Sequence, residues 1–145
     1  MKFGWINLFG AAAVVLLLVP NIVYALKNRD EINKCRNKGM NLLEQIGRYA
    51  CIVLMWLPLG VWEFGFRSTA AMLAYVLGCA VLLCAYEILF ALHLHKKTAR
   101  RAMALAILPA CIFLLCGLTL RHWLLAAFAA VFAVGHIYVT KKNWT

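Results

Sequence analysis

Five apolar stretches, each about as long as a helix needs to cross a bilayer and mostly joined by links of a few residues, constrain this chain more than any other feature. They lie at about residues 5–26, 46–66, 69–92, 102–120 and 123–140. A hydrocarbon core of about 30 Å takes about 20 apolar residues in a helix, and every backbone polar group inside it must be satisfied by the protein itself. The predicted fold class is therefore all-α, a multi-pass transmembrane helical bundle of five antiparallel spans. Composition agrees: 66% of residues are hydrophobic and 14% charged, with a mean hydropathy of +0.84, where soluble domains are roughly half apolar. Residues 1–145 read as a single transmembrane domain with a basic loop at 27–45 and no stretch for a separate soluble catalytic domain.

The charge of +10 points to orientation before it points to a partner. Lys27, Arg29, Lys34, Arg36, Lys38 and Arg48, then Lys96, Lys97, Arg100 and Arg101, then Lys141 and Lys142 all fall on one side of the five spans. Only Lys2, Arg67 and Arg121 fall on the other. By the positive-inside rule this places the N-terminus outside and the C-terminus in the cytoplasm, in a cell (inner) membrane. Anionic headgroups of the lipid bilayer are expected neighbours of these cations; nucleic acid is not an expected partner. A signal-peptide reading of the first stretch, suggested by Val23-Tyr24-Ala25, is opposed by Pro20 and Asn21 near its end and by its length.

Six cysteines, Cys35, Cys51, Cys79, Cys84, Cys111 and Cys116, form no Cys-x-x-Cys pair, and five lie within spans, where a cysteine behaves as a small hydrophobe. Counting depth from the outer surface puts Cys79 level with Cys111. In the basic loop, Ile32, Cys35, Met40, Leu42, Leu43 and Ile46 recur at roughly helical spacing. They predict an interfacial amphipathic helix running into the second span, with Asp30 as a candidate cap. Pro20, Pro58 and Pro109 each interrupt a span, and Pro58 with Gly60 predicts a bend in the outer half of the second. Ala126, Ala129, Ala130 and Ala133 give the fifth span a face for close packing.

Polar groups inside the spans are few, and each needs a partner because a mid-bilayer charge costs about 2.5–3.5 kcal/mol on insertion scales. Glu87, inside the run "CAYEILFALHLHKK", falls in the cytoplasmic half of the third span. It must stay neutral or face a cation. The predicted topology brings Asn21, Glu44, Arg48, His93 and His136 to the same leaflet, making a polar layer on one side. Asn37, Asn41, Glu44 and Arg48 share one helix face, so Arg48 has two candidate partners: Glu44 on its own helix and Glu87 on another. Such a layer is compatible with a network that fixes helix packing and with a cytoplasm-facing cavity for an ion, proton or small polar solute. Glu63 and Arg67 predict an outer-surface pair, and Trp5, Trp56, Trp62, Trp123 and Trp144 predict interfacial anchors.

No cofactor is expected. His93 and His95 lie on different sides of a helix, and the convergence of His93, His136 and Glu87 on a metal has no spacing motif behind it. Phosphate loops, nucleophile elbows and metalloprotease signatures are missing from the sequence, so catalysis is not expected. In helix count and length the plan is similar to that of the tryptophan-rich sensory (translocator) protein family. The chain has a basic, Asn-rich first loop where that family has one rich in tryptophan and proline, so the likeness carries no site residue. The expected function is binding or transport of a small solute, ion or proton by Glu87, Arg48, Glu44, Asn21, His136 and His93, in a homo-oligomer. The alternative is an accessory or immunity-type protein docked on a larger membrane partner, and a membrane enzyme ranks third.

Overall fold

The computed structural model describes residues 2–61 and 64–145, with only the backbone of Phe3. Trp62 and Glu63, expected as an anchor and as the partner of Arg67, lie outside the described residues. The order of elements is β1 (Lys2–Gly4), α1 (Leu8–Lys27), α2 (Lys38–Leu54), β2 (Phe64–Gly65), α3 (Thr69–His95), α4 (Ala99–Thr119) and α5 (Trp123–Trp144). The chain is an all-helical bundle, and α1, α3, α4 and α5 are long and apolar enough to cross a bilayer. Large side chains such as Val15, Val81, Ile88 and Val134 are exposed on its outside, as expected where lipid is the solvent.

Short polar residues start α1 to α4 by satisfying backbone N–H groups that have no partner within the first turn. Asn7 accepts from Gly10 N at 3.1 Å, Asn37 from Met40 N at 3.1 Å, Ser68 from Ala71 N at 3.1 Å and Thr98 from Arg101 N at 3.4 Å. Asp30, the candidate cap in the basic loop, lies in the turn after α1 and eight residues short of α2, and Asn37 caps α2 instead. Both α1 and α4 continue through their prolines, Pro20 and Pro109.

The second predicted span is where observation and expectation part. A helix was expected across 46–66, but α2 starts earlier, at Lys38, and stops at Leu54 after 17 residues. Pro58 cannot donate an i→i−4 bond, and Gly60 turns back at φ +86°. The intervening chain closes in tight turns, with Leu59 N donating to Leu57 O at 2.9 Å and Val61 N to Pro58 O at 3.2 Å. The predicted bend is a helix end.

Helix neighbours run α2, α5, α4, α3, α1, each packed on the next. Glycines set the closest approaches. A Cβ on Gly47 would lie 2.7 Å from the Phe132 backbone, and one on Gly135 would lie 2.7 Å from Glu44 N, so α2 and α5 interlock reciprocally. Gly117 meets Ala126 between α4 and α5 in the same way. Within the alanine face Ala129 is buried but Ala130 is exposed, so only part of it packs.

One end of the bundle carries the two-stranded sheet. There Lys2 pairs with Gly65 and Gly4 with Phe64, antiparallel. Asn7 joins three elements: its N–H donates to Trp56 O at 3.1 Å, and its side chain caps α1 and donates to the Tyr75 hydroxyl at 3.1 Å. His122, fully buried in the α4–α5 turn, donates from Nε2 to Leu59 O at 2.6 Å and stands edge-on to Phe64. The opposite end gathers the loop at 28–37, the start of α2 and the C-terminal ends of α1, α3 and α5.

Candidate functional site

At the loop end the six candidate residues fall into separate groups. Glu44, only 5% exposed, lies on the face of α2 that meets Gly135 of α5. One of its carboxylate oxygens, Oε1, accepts from His136 Nδ1 at 2.8 Å and also from the Arg48 guanidinium one helical turn along. Phe132 stacks on the His136 ring, centroids 4.8 Å apart, and fixes the imidazole plane. Arg48 is about a third exposed, so the triad runs from a buried carboxylate to the protein surface. Of the two partners the sequence offers Arg48, the structure pairs it with Glu44.

Asn21 belongs to the α1–α3 seam. Its Nδ2 donates to Leu17 O at 2.6 Å and to the Tyr86 hydroxyl at 2.7 Å. Tyr86 is fully buried and packs against Phe90. It carries neither charge nor motif, so nothing in the sequence singles it out. Glu87, its neighbour, is half-buried, and its Oε1 is shut off from solvent with no hydrogen-bond partner.

His93 is 5% exposed and lies between the Tyr24 ring at 6.1 Å and the Trp144 ring at 5.7 Å, with Nδ1 unpartnered. Trp144, expected as an interfacial anchor, thus also covers a histidine. Among the described residues no three of His, Cys, Asp and Glu come together as metal ligands. Two surface depressions lie elsewhere: one at Phe66–Thr69, and an apolar groove of about 370 Å³ lined by Tyr49, Val53, Leu54, Leu124 and Phe128.

A latch between the loop, the end of α1 and Lys97 holds the basic loop to the bundle. Glu31 accepts from the Lys97 ammonium and, at 2.6 Å, from the Tyr24 hydroxyl, while Lys97 also donates to Asn28 Oδ1 at 2.5 Å. At the far end of the loop Lys34 N donates to Asn143 Oδ1 at 2.7 Å. The Lys97 ammonium, and after it the Tyr24 hydroxyl, hold the Glu31 carboxyl below its usual value of 4.5. Its bond to Glu31 raises Lys97 above 10.5 in turn. A lowered carboxyl contributes stability above 4.5 and loses it as pH falls through its folded value. A raised amine contributes below 10.5 and loses it as pH climbs past that. The loop is expected to stay docked between these limits and to loosen in acid. Amide exchange at 28–37, corrected for intrinsic rates, should lose protection below pH about 4.5, and Lys97→Gln should cause the same loss at neutral pH.

The sulfur geometry differs from the depth count. Cys79 does not face Cys111, which is exposed; its Sγ lies 3.3 Å from that of Cys116, and both thiols are buried. Compared with known proteins, the chain matches no family model, no curated protein and no solved structure.

Proposed function

We propose that this multi-pass protein spans the cell membrane five times, with α2 as the short fifth span and the loop end in the cytoplasm, and that it binds and releases protons at the Glu44–His136–Arg48 triad to move a small solute or ion. The observation that supports this reading is Glu44 itself, a carboxylate 5% exposed in a helix seam and held by an imidazole and a guanidinium. Ionisable groups at such depth are costly, and a default functional hypothesis attaches to them. With His136 neutral, Nδ1–H donates to Glu44 and Nε2 is left as a proton acceptor. Uptake at Nε2 makes an imidazolium whose charge Glu44 balances, with Arg48 competing for the same oxygen. Proton binding thereby strengthens the Glu44–His136 bond across the α2–α5 seam and frees Arg48 toward the surface. Glu87, Asn21 and His93 belong to the same layer in this reading, with Glu87 Oε1 as a second acceptor.

The test is a proton or proton-coupled flux in vesicles containing the purified protein and a pH-sensitive dye. Wild type should exceed empty vesicles, and His136→Gln should lower the flux at least about tenfold while the protein stays monodisperse in detergent. Wild-type flux equal to that of empty vesicles would sink the proposal.

One observation favours a second reading, the accessory protein. Glu44 and Asn21 are already satisfied within the chain, and the groove between Tyr49 and Phe128 is apolar. Under that reading a larger membrane protein co-purifies in mild detergent, and Val53→Trp in the groove releases it.

A further inference from the structure

Of the six free cysteines, only Cys79 and Cys116 bring their sulfurs together among the described residues. Both lie in the seam between α3 and α4, with Cys79 7% exposed and Cys116 fully buried. Gly78, beside Cys79, lets Leu115, beside Cys116, come in close: a Cβ on Gly78 would lie 2.6 Å from a Leu115 methyl. The pair is thus held by a close approach of two long helices, with Tyr75, fixed by Asn7, one turn away toward the sheet end. At 3.3 Å the sulfurs are inside the sum of two van der Waals radii. A bond needs about 2.05 Å, so closure takes a movement of about 1.3 Å, within the reach of side-chain rotation.

We propose that Cys79 and Cys116 are a redox-active thiol pair that closes to a disulfide between α3 and α4. The oxidant class is a small lipid-soluble disulfide, because burial shuts out a protein oxidase. Cys79, the less buried sulfur, attacks as thiolate and expels one small thiolate, giving a mixed disulfide. Cys116 then attacks the Cys79 sulfur and expels the second. Two protein thiols are oxidised, one small disulfide is reduced to two thiols, and the protons lost by the cysteines pass to the expelled thiolates. The bridge closes a loop across 37 positions and ties the two helices together.

The test uses the full-length protein in detergent with 4,4′-dithiodipyridine as probe. After oxidation, denaturation and alkylation, a chain keeping only these two cysteines should carry neither alkyl nor pyridyl groups where the reduced protein takes up two alkyl groups, and peptide mapping of wild type should place a Cys79–Cys116 link, its exposed Cys84 and Cys111 being capped by the probe. Oxidation should raise the melting temperature by roughly 5–10 °C, reversibly with a phosphine reductant. Cys79→Ser and Cys116→Ser should each abolish the link and the shift. Should either variant fail to fold, a chain keeping only these two cysteines gives the same reading by mapping. A stable pyridyl adduct on Cys79, unreacted thiols, or a link through Cys111 overturns the proposal.

Discussion

Gly10→Ala is expected to destabilise this protein more than any other single added methyl group. The new Cβ would lie 1.9 Å from the Met55 carbonyl oxygen and 2.9 Å from Asn7 Nδ2. The first neighbour is backbone, which cannot rotate aside as a side-chain tip does. Relief requires α1 to back away from the turn that follows α2 at Met55 and Trp56, which breaks the Asn7 N to Trp56 O bond and pulls Asn7 off Tyr75. Overpacking of this kind costs about 1–3 kcal/mol and sometimes more. Thermal unfolding in detergent should show the largest drop in midpoint among glycine-to-alanine variants. Gly39→Ala is the control: its Cβ meets nothing nearer than Asn37 Oδ1 at 3.4 Å, and alanine is the better helix former. That variant is expected to match or exceed wild type by up to about 1 kcal/mol. Equal losses at both positions would refute the close approach of α1 to the Met55 carbonyl.

The second large effect is expected at Glu44, and the replacement decides its kind. Glu44→Gln keeps the shape and an acceptor oxygen for His136 and Arg48, so its stability cost should stay at about 0.6–1.7 kcal/mol, typical of a polar contact between membrane helices. Its proton-linked flux should nonetheless fall at least about tenfold, because an amide cannot balance an imidazolium. Glu44→Leu leaves the His136 Nδ1 donor unpaired in the seam, which adds about 1–3 kcal/mol. The melting order Glu, Gln, Leu, with flux lost already at Gln, separates chemistry from packing. Full flux in Glu44→Gln would remove the triad from the mechanism.

The four long helices were legible because lipid imposes length and hydropathy directly, and their ends fall within a few residues of the apolar stretches. The second was misread because hydropathy continues through 55–61 while the backbone does not; Pro58 and Gly60 marked the place but not the severity. Glu44 with Arg48 was legible from helical spacing. The bond from His136 crosses between helices and depends on Gly47 and Gly135 bringing α2 and α5 together. No local pattern encodes that. The nearness of Cys79 to Cys116 is not legible from a depth count, because such a count takes the helix ends as level. α3 has 27 residues against 21 in α4, about 40 Å against about 31 Å, and its first turns rise past the end of α4 to pack Tyr75 on Phe66.

The short ribbon at the sheet end bears on how the protein is made. Lys2 finds its partner at Gly65, and Asn7 finds Tyr75 across 68 positions of chain. During synthesis α1 is complete before either partner has left the ribosome. Until then neither the ribbon nor the Asn7–Tyr75 bond can form. The first helix made is thus among the last to complete its contacts at the sheet end.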